Sequence, residues 1–436
     1  MDARRRRGKA ARLLLLLFLY SCGLVLTALG LATAGCRFVP EAPITSPVTV
    51  TFWHSQRGPA GELLAEMAAE FSAANPNITV VPVYRGEPAQ LVAELRDGSA
   101  PGGAPVLAEV PETALASLRV AGLLRPLQGF IMGRQYGLSL TDLEDFWPCF
   151  VESNTAGKQV WGLPLSHRVY ALIYDPALVG SPPTTWAELT EAAAALTRRV
   201  ADPAQSTFGL AFRADANLFY LFLHQNGGRI AAGDPPRCVM NSPEGVAALD
   251  YLFELACLRR CVLLTVSQPL PAVSEGRAAM AIGAPRWPVN GQDGGRPLAI
   301  APLPEGVARA TLSPGSSLVI LRGPDPVLEE AAWRFIQWLT NPGNAARWAA
   351  GTGDVPIRRS VLGNPVWLYG PGLDPGWRAV VAQMEYAVVT PGVSGWEEVH
   401  QNLSSTVSTY LLGRTNSAQS VLDRLSEAAN RALSAP

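Results

Sequence analysis

Residues 48–83, VTVTFWHSQRGPAGELLAEMAAEFSAANPNITVVPV, limit the possible folds more than any other stretch of this chain. Val48–Phe52 reads as a buried strand. Gly61–Ala73 reads as an amphipathic helix, with Leu64, Met67, Ala68 and Phe71 on one stripe. Asn75-Pro76-Asn77 breaks the helix, and Ile78–Val83 reads as a second strand. Strand, helix and strand at this spacing form a βαβ unit, which starts a parallel sheet. Ligands of such sheets meet the loops after the carboxyl ends of the strands. That puts Trp53, His54 and Ser55 at a candidate cleft, with Tyr84 at the end of the second strand.

The chain begins with an export pattern. Arg4, Arg5, Arg6, Arg7, Lys9 and Arg12 precede the apolar run Leu13–Gly35. Thr33-Ala34-Gly35-Cys36 resembles a lipoprotein cleavage site at which Cys36 is lipidated. Thr33 stands where Leu is usual, and Cys22 is a rival site. The run is also long enough to stay as an uncleaved anchor helix. Both readings place residues 37–436 outside the cytoplasmic membrane, with the proline-bearing stretch 37–47 as a tether.

The exported part is long enough for two domains. Its 48% hydrophobic and 16% charged composition describes a well-cored protein. A net charge of −1 gives no electrostatic footprint for nucleic acid. Cys149, Cys238, Cys257 and Cys261 would sit in an oxidising compartment, where three complete pairings are open. A local Cys257–Cys261 bridge is one of the options. No ligand spacing for a metal is visible, and no cofactor motif occurs.

Further elements follow in order. Residues 87–98 read as a helix, Ala104–Val110 as a third strand and Pro111–Val120 as a helix start. Val169–Tyr174 has strand propensity. Thr185 and Ser242 are placed to cap helices, with Pro243 at a first helical position. Ser316–Leu321 reads as a strand, and Glu329–Thr340 as an amphipathic helix. Residues 396–433 read as two helices broken near Gly413.

These words, in this order behind such a signal, resemble the extracellular solute-binding proteins of bacterial carbohydrate ABC importers, relatives of the maltose-, trehalose- and glycerol-phosphate-binding proteins. The words are the opening βαβ unit, GKQVWGLPLSHRVYALIYDPALVGSPPTTWAELTEAAAAL at 157–196, EGRAAMAIG at 275–283 and TGDVPIR at 352–358. The resemblance implies an α/β, two-lobe periplasmic-binding-protein fold (type II-like) with a ligand cleft between lobes joined by crossing strands. By analogy, lobe one is 48–167 plus 277–320, and lobe two is 168–276 plus 321–436. The implied protein is a membrane-tethered monomer. It takes up a neutral sugar, disaccharide or glycosylated polyol and delivers it to permease subunits driven by a separate ATPase. The same sequence would suit a sugar-sensing or adhesion lipoprotein without transport.

A sugar site combines aromatic faces with hydrogen-bonding side chains in a concave pocket. The chain has 11 Trp and 10 Tyr to draw on. By resemblance Trp287 is the stacking platform, with Arg286 beside it. Tyr84 and Glu112 match contacts in the glycerol-phosphate relatives. His167 and Arg168 lie at the lobe crossing, and Gly315 and Ser316 offer backbone donors. Asp354 takes a position that is aromatic in the family. Trp396 and Arg213 are weaker candidates. The relatives' phosphate-facing arginine falls near Gly392-Val393, which argues for a neutral ligand. GxSxG, HExxH and P-loop patterns are missing. A glycosidase would need two facing carboxylates about 5–9.5 Å apart, for which Glu112 and Asp354 are the candidates.

Overall fold

The computed structural model describes residues 44–98, 104–233, 236–289, 296–323, 325–390, 392–393, 395–413 and 417–433. Cys22, Cys36 and the signal segment lie outside the described residues, as does most of the tether.

The opening unit forms as its periodicity dictates. Strand β1 (Val48–His54) pairs in parallel with β2 (Ile78–Tyr84) along its whole length. Helix α1 (Pro59–Ala74) crosses between them and buries Ala60, Leu64, Met67, Ala68 and Phe71. Strand β3 (Leu107–Pro111) adds to the other side of β1. Two later strands complete this first sheet: β4 (Leu163–His167) and β10 (Gly315–Ile320), which runs antiparallel to both β3 and β4. The order is β2-β1-β3-β10-β4.

The second sheet is built from β5 (Ala171–Tyr174), β6 (Phe208–Arg213), β7 (Val262–Thr265), β8 (Ala278–Gly283) and β9 (Ala299–Ala301), in the order β7-β6-β8-β5-β9. Here the analogy's boundaries need correction. It gave residues 277–320 to lobe one, but β8 lies at the centre of the second sheet. It pairs with β6 on one side and β5 on the other. The chain therefore returns to the first sheet only at β10. The second return also comes later than residue 321. Helices α2 (Pro326–Leu339) and α3 (Pro342–Thr352) pack on β1 and α1, whereas Pro375–Val381 packs on β9. The crossings in the second half of the chain therefore lie later than the analogy gave.

Local signals explain most helix ends. Thr185 accepts from the Glu188 amide, and Ser242 accepts from the Gly245 amide. Each leaves one fewer unsatisfied donor at a helix start. Trp396–Leu411 and Ala418–Leu433 close the second lobe. Cys149, Cys238, Cys257 and Cys261 are all free thiols, so none of the pairings left open occurs. Cys257 donates instead to the Leu411 carbonyl, and Cys261 to the Leu255 carbonyl. Among the described residues no helix is long and apolar enough to cross a membrane.

The lobes meet at three neighbouring chain segments. Residues 168–170 leave β4 for β5, and 311–314 run back alongside them. The Arg168 amide donates to the Pro314 carbonyl (3.1 Å), and the Tyr170 amide to that of Leu312 (3.0 Å). Thr311–Leu312 pairs in parallel with Ala387–Val388.

Candidate functional site

A cavity of about 550 Å³ opens against these crossings. Ser55, Glu109, Glu112, Ser166, Gly315 and Ser316 line it from the first sheet and its loops. Asn217 and His400 line it from the second lobe, Arg286 from the loop after β8, and Arg168, Ser313 and Thr390 from the crossings. Ser55, Glu112, Arg168, Arg286, Gly315 and Ser316 from the expected set thus share one cavity wall.

The other expected residues sit elsewhere, for identifiable reasons. Successive side chains of a strand point to opposite faces. Phe52 packs in the core beneath α1, so Trp53 turns to the other face and packs with Leu91, Val92 and Leu115. The Arg85 guanidinium lies 4.1 Å from its ring centroid. Trp53 is therefore a core residue. His54 is buried between the Phe52 and Tyr84 rings, and burial lowers its pKa. Tyr84 is largely exposed and accepts a hydrogen bond from Arg57 Nε, and Arg57 is itself on the cavity wall. His167 is fully buried behind Glu112, with its ring centroid 3.9 Å from that of Phe150. Trp396 is likewise core, and Arg213 sits 3.4 Å from Asp215.

Trp287 is corrected most sharply. Its indole lines a separate hollow with Tyr174, Ile300 and Tyr369. The cause is the backbone: the Trp287 amide donates to the Gly353 carbonyl (2.9 Å). Arg286, one residue earlier, points to the cleft. Asp354 is buried behind it, accepting from Ser166 Oγ and from Arg286 Nε (2.7 Å). It acts as a bracket for Arg286, and does not face Glu112 across the cleft as a glycosidase pair would.

Two cleft carboxyls have unusual surroundings. Glu109 is buried in β3 and accepts from Gln56 Nε2 (2.5 Å), Ser316 Oγ (2.5 Å) and the Ser55 amide (3.3 Å). Burial pushes its pKa up, and the three donors pull it partly back. Glu112 starts the helix Glu112–Val120 and accepts from Ser153 Oγ (2.6 Å). Its Oε1 lies 3.7 Å from His167 Nε2. Burial pushes Glu112 up to about 7 and lowers His167 to about 4. Both groups are thereby moved toward their neutral forms.

Glu109 was missed in the sequence, although a lone carboxylate inside the apolar strand LAEVP was a usable signal. Gln56, Ser166, Asn217 and Thr390 carried none. Arg57, Arg168 and Arg286 all reach the cavity wall, and its aromatic rings among the described residues are those of Phe150 and His400.

Comparison with known proteins places this geometry. Residues 66–372 match the family model described as bacterial extracellular solute-binding protein. The maltotriose-binding protein of Pyrococcus abyssi is 24% identical over 324 residues, covering 72% of this chain and 68% of that protein. The sn-glycerol-3-phosphate-binding periplasmic protein of Salmonella typhimurium is 26% identical over 367 residues, covering 76% and 78%. Among solved structures, the cyclic alpha-maltosyl-1,6-maltose binding protein from Arthrobacter globiformis superposes with a TM-score of 0.77 at 21% identity, covering 89% of this chain and 99% of that one. An ABC substrate-binding protein from Listeria monocytogenes in complex with cycloalternan gives 0.74 at 21% identity, covering 88% and 99%.

Proposed function

This chain belongs to the bacterial extracellular solute-binding proteins, and on that premise we propose that it is the substrate receptor of an ABC importer for a small sugar or glycosylated polyol. One observation carries the reading. A cavity of about 550 Å³, within the range of small-molecule sites, is walled by hydrogen-bonding side chains of both lobes at the chain crossings. Ser55, Gln56 and Ser166 belong to one lobe, and Asn217 and His400 to the other. A ligand touching all of them is bound fully only when the lobes are together. Binding then shifts the population toward the closed form, because that form alone makes both sets of contacts. The closed form docks on a permease, and a separate ATPase drives transport. The receptor works as an exported monomer, tethered through lipidated Cys36 or an uncleaved N-terminal helix.

A thermal-shift screen of the full chain in detergent, against mono- and disaccharides, polyols and their phosphorylated and acidic derivatives, tests this. A ligand that binds only the native state raises the melting temperature with its occupancy. A shift with one solute class is the expected result; no shift with any solute refutes the receptor reading.

A further inference from the structure

We infer that the solute bound in this cleft carries an anionic group, held by Arg168 with Arg286 beside it. This deepens the receptor reading and rests on it.

Two of the three arginines lining the cavity have a carboxylate partner. Arg57 is matched by Glu87, 2.9 Å away. Arg286 is matched by Asp354, whose second oxygen is taken by Ser166. Glu109 and Glu112 are both shifted toward their neutral forms by burial. Arg168 remains. Its backbone is fixed on both sides: its amide donates to Pro314, and its carbonyl accepts from Ser313 Oγ (2.7 Å). Its side chain is half-buried on the cleft wall and has no hydrogen-bond or ion-pair partner among the described residues. Burial lowers its pKa first and the neighbouring Arg286 charge lowers it further, while Asp354, already bonded to Arg286, raises it. Two guanidiniums thus share one wall with one committed carboxylate between them.

Such an arrangement is costly without a counter-charge. Hydroxyl groups of a neutral sugar would solvate Arg168 but not neutralise it. A phosphate, sulfate or carboxylate accepts the planar fork of a guanidinium in two parallel charge-assisted bonds. The remaining donors and acceptors of the wall, Gln56, Asn217 and Ser316 among them, are left for the polyol part of the solute.

The test is titration calorimetry on the full chain in detergent. Glycerol 3-phosphate and glucuronate are compared with glycerol and glucose, and inorganic phosphate and sulfate serve as bare anions. The two charged polyols separate a phosphate preference from a carboxylate one. The expected result is binding of a charged polyol and none of its uncharged counterpart. Arg168→Gln should weaken that binding by at least about thirtyfold, as for removal of one partner of a desolvated charge pair. Arg168→Lys should fall between. Without ligand, Arg168→Gln should melt no lower than the parent, since it removes an uncompensated charge; this readout shows that the variant folds. Neutral sugars binding the parent and Arg168→Gln equally would overturn the inference and leave the receptor reading standing. A charged polyol that binds Arg168→Gln undiminished would also overturn it. Binding of inorganic phosphate alone, lost in Arg168→Gln, would support the anion site and count against the polyol reading. Silence from every solute overturns both.

Discussion

Replacing Glu112 by Gln should change how stability depends on pH, with a sign that follows from the site. In the fold the Glu112 carboxyl titrates at about 7, against 4.5 for an ordinary glutamate. The folded protein therefore holds this proton more tightly than the unfolded chain does. Its stabilising contribution is complete below pH about 4.5 and is lost as pH rises through about 7. The separation of the two values corresponds to a loss of about 3 kcal/mol, most of it between pH 5 and 8. Glutamine keeps the carbonyl oxygen that accepts from Ser153 and has no proton to lose. His167 works against this trend. Its value is lowered by burial, so it removes stability as pH falls from 6.5 toward 4. That contribution is shared by parent and variant and cancels in their difference. Chemical denaturation at pH 5 and pH 8 gives the difference directly. Glu112→Gln should gain about 2–3 kcal/mol on the parent between the two pH values. Parallel stability curves would mean that Glu112 is ionised in the fold at both, and that burial does not raise its pKa.

Two further changes separate the cleft from its surroundings. Trp287→Ala should leave solute affinity unchanged in calorimetry, because the indole faces the outer hollow; a large loss would return it to the role of a stacking platform. Gly353→Ala should melt at a lower temperature. The backbone there has φ +71°, and an added Cβ would lie 1.8 Å from the Trp287 carbonyl oxygen, so an unchanged melting temperature would refute the close approach.

Local pattern accounts for what could be read in advance. The helix after β1, the caps at Thr185 and Ser242 and the break near Gly413 are each written in a few adjacent residues. Sheet membership is not. AAMAIG has the same propensity in either sheet, and only its pairing with β5 and β6, far along the chain, assigns it. The site was legible by region and poorly legible by residue. The loop after β1 does reach the cleft, but the pleat sends Trp53 to the core and leaves the task to Ser55 and Gln56. Arg286 and Trp287 are neighbours in sequence, yet one hydrogen bond to Gly353 sends their side chains into different cavities. Asp354, expected to offer its carboxylate to the ligand, gives it to Arg286 instead.

That bond from Trp287 to Gly353, with the Asp354 bracket next to it, also bears on how the lobes can move. Arg286 leaves a strand of the second sheet, but its anchors, Gly353 and Asp354, follow directly on helix α3 of the first lobe. In a rotation of one lobe against the other, Arg286 keeps station with the first lobe. The backbone must flex upstream, between Gly283 and Arg286. An arriving solute therefore meets Arg286, Ser166 and Glu109 as a finished half-site, and the second lobe brings Asn217 and His400 to it on closing.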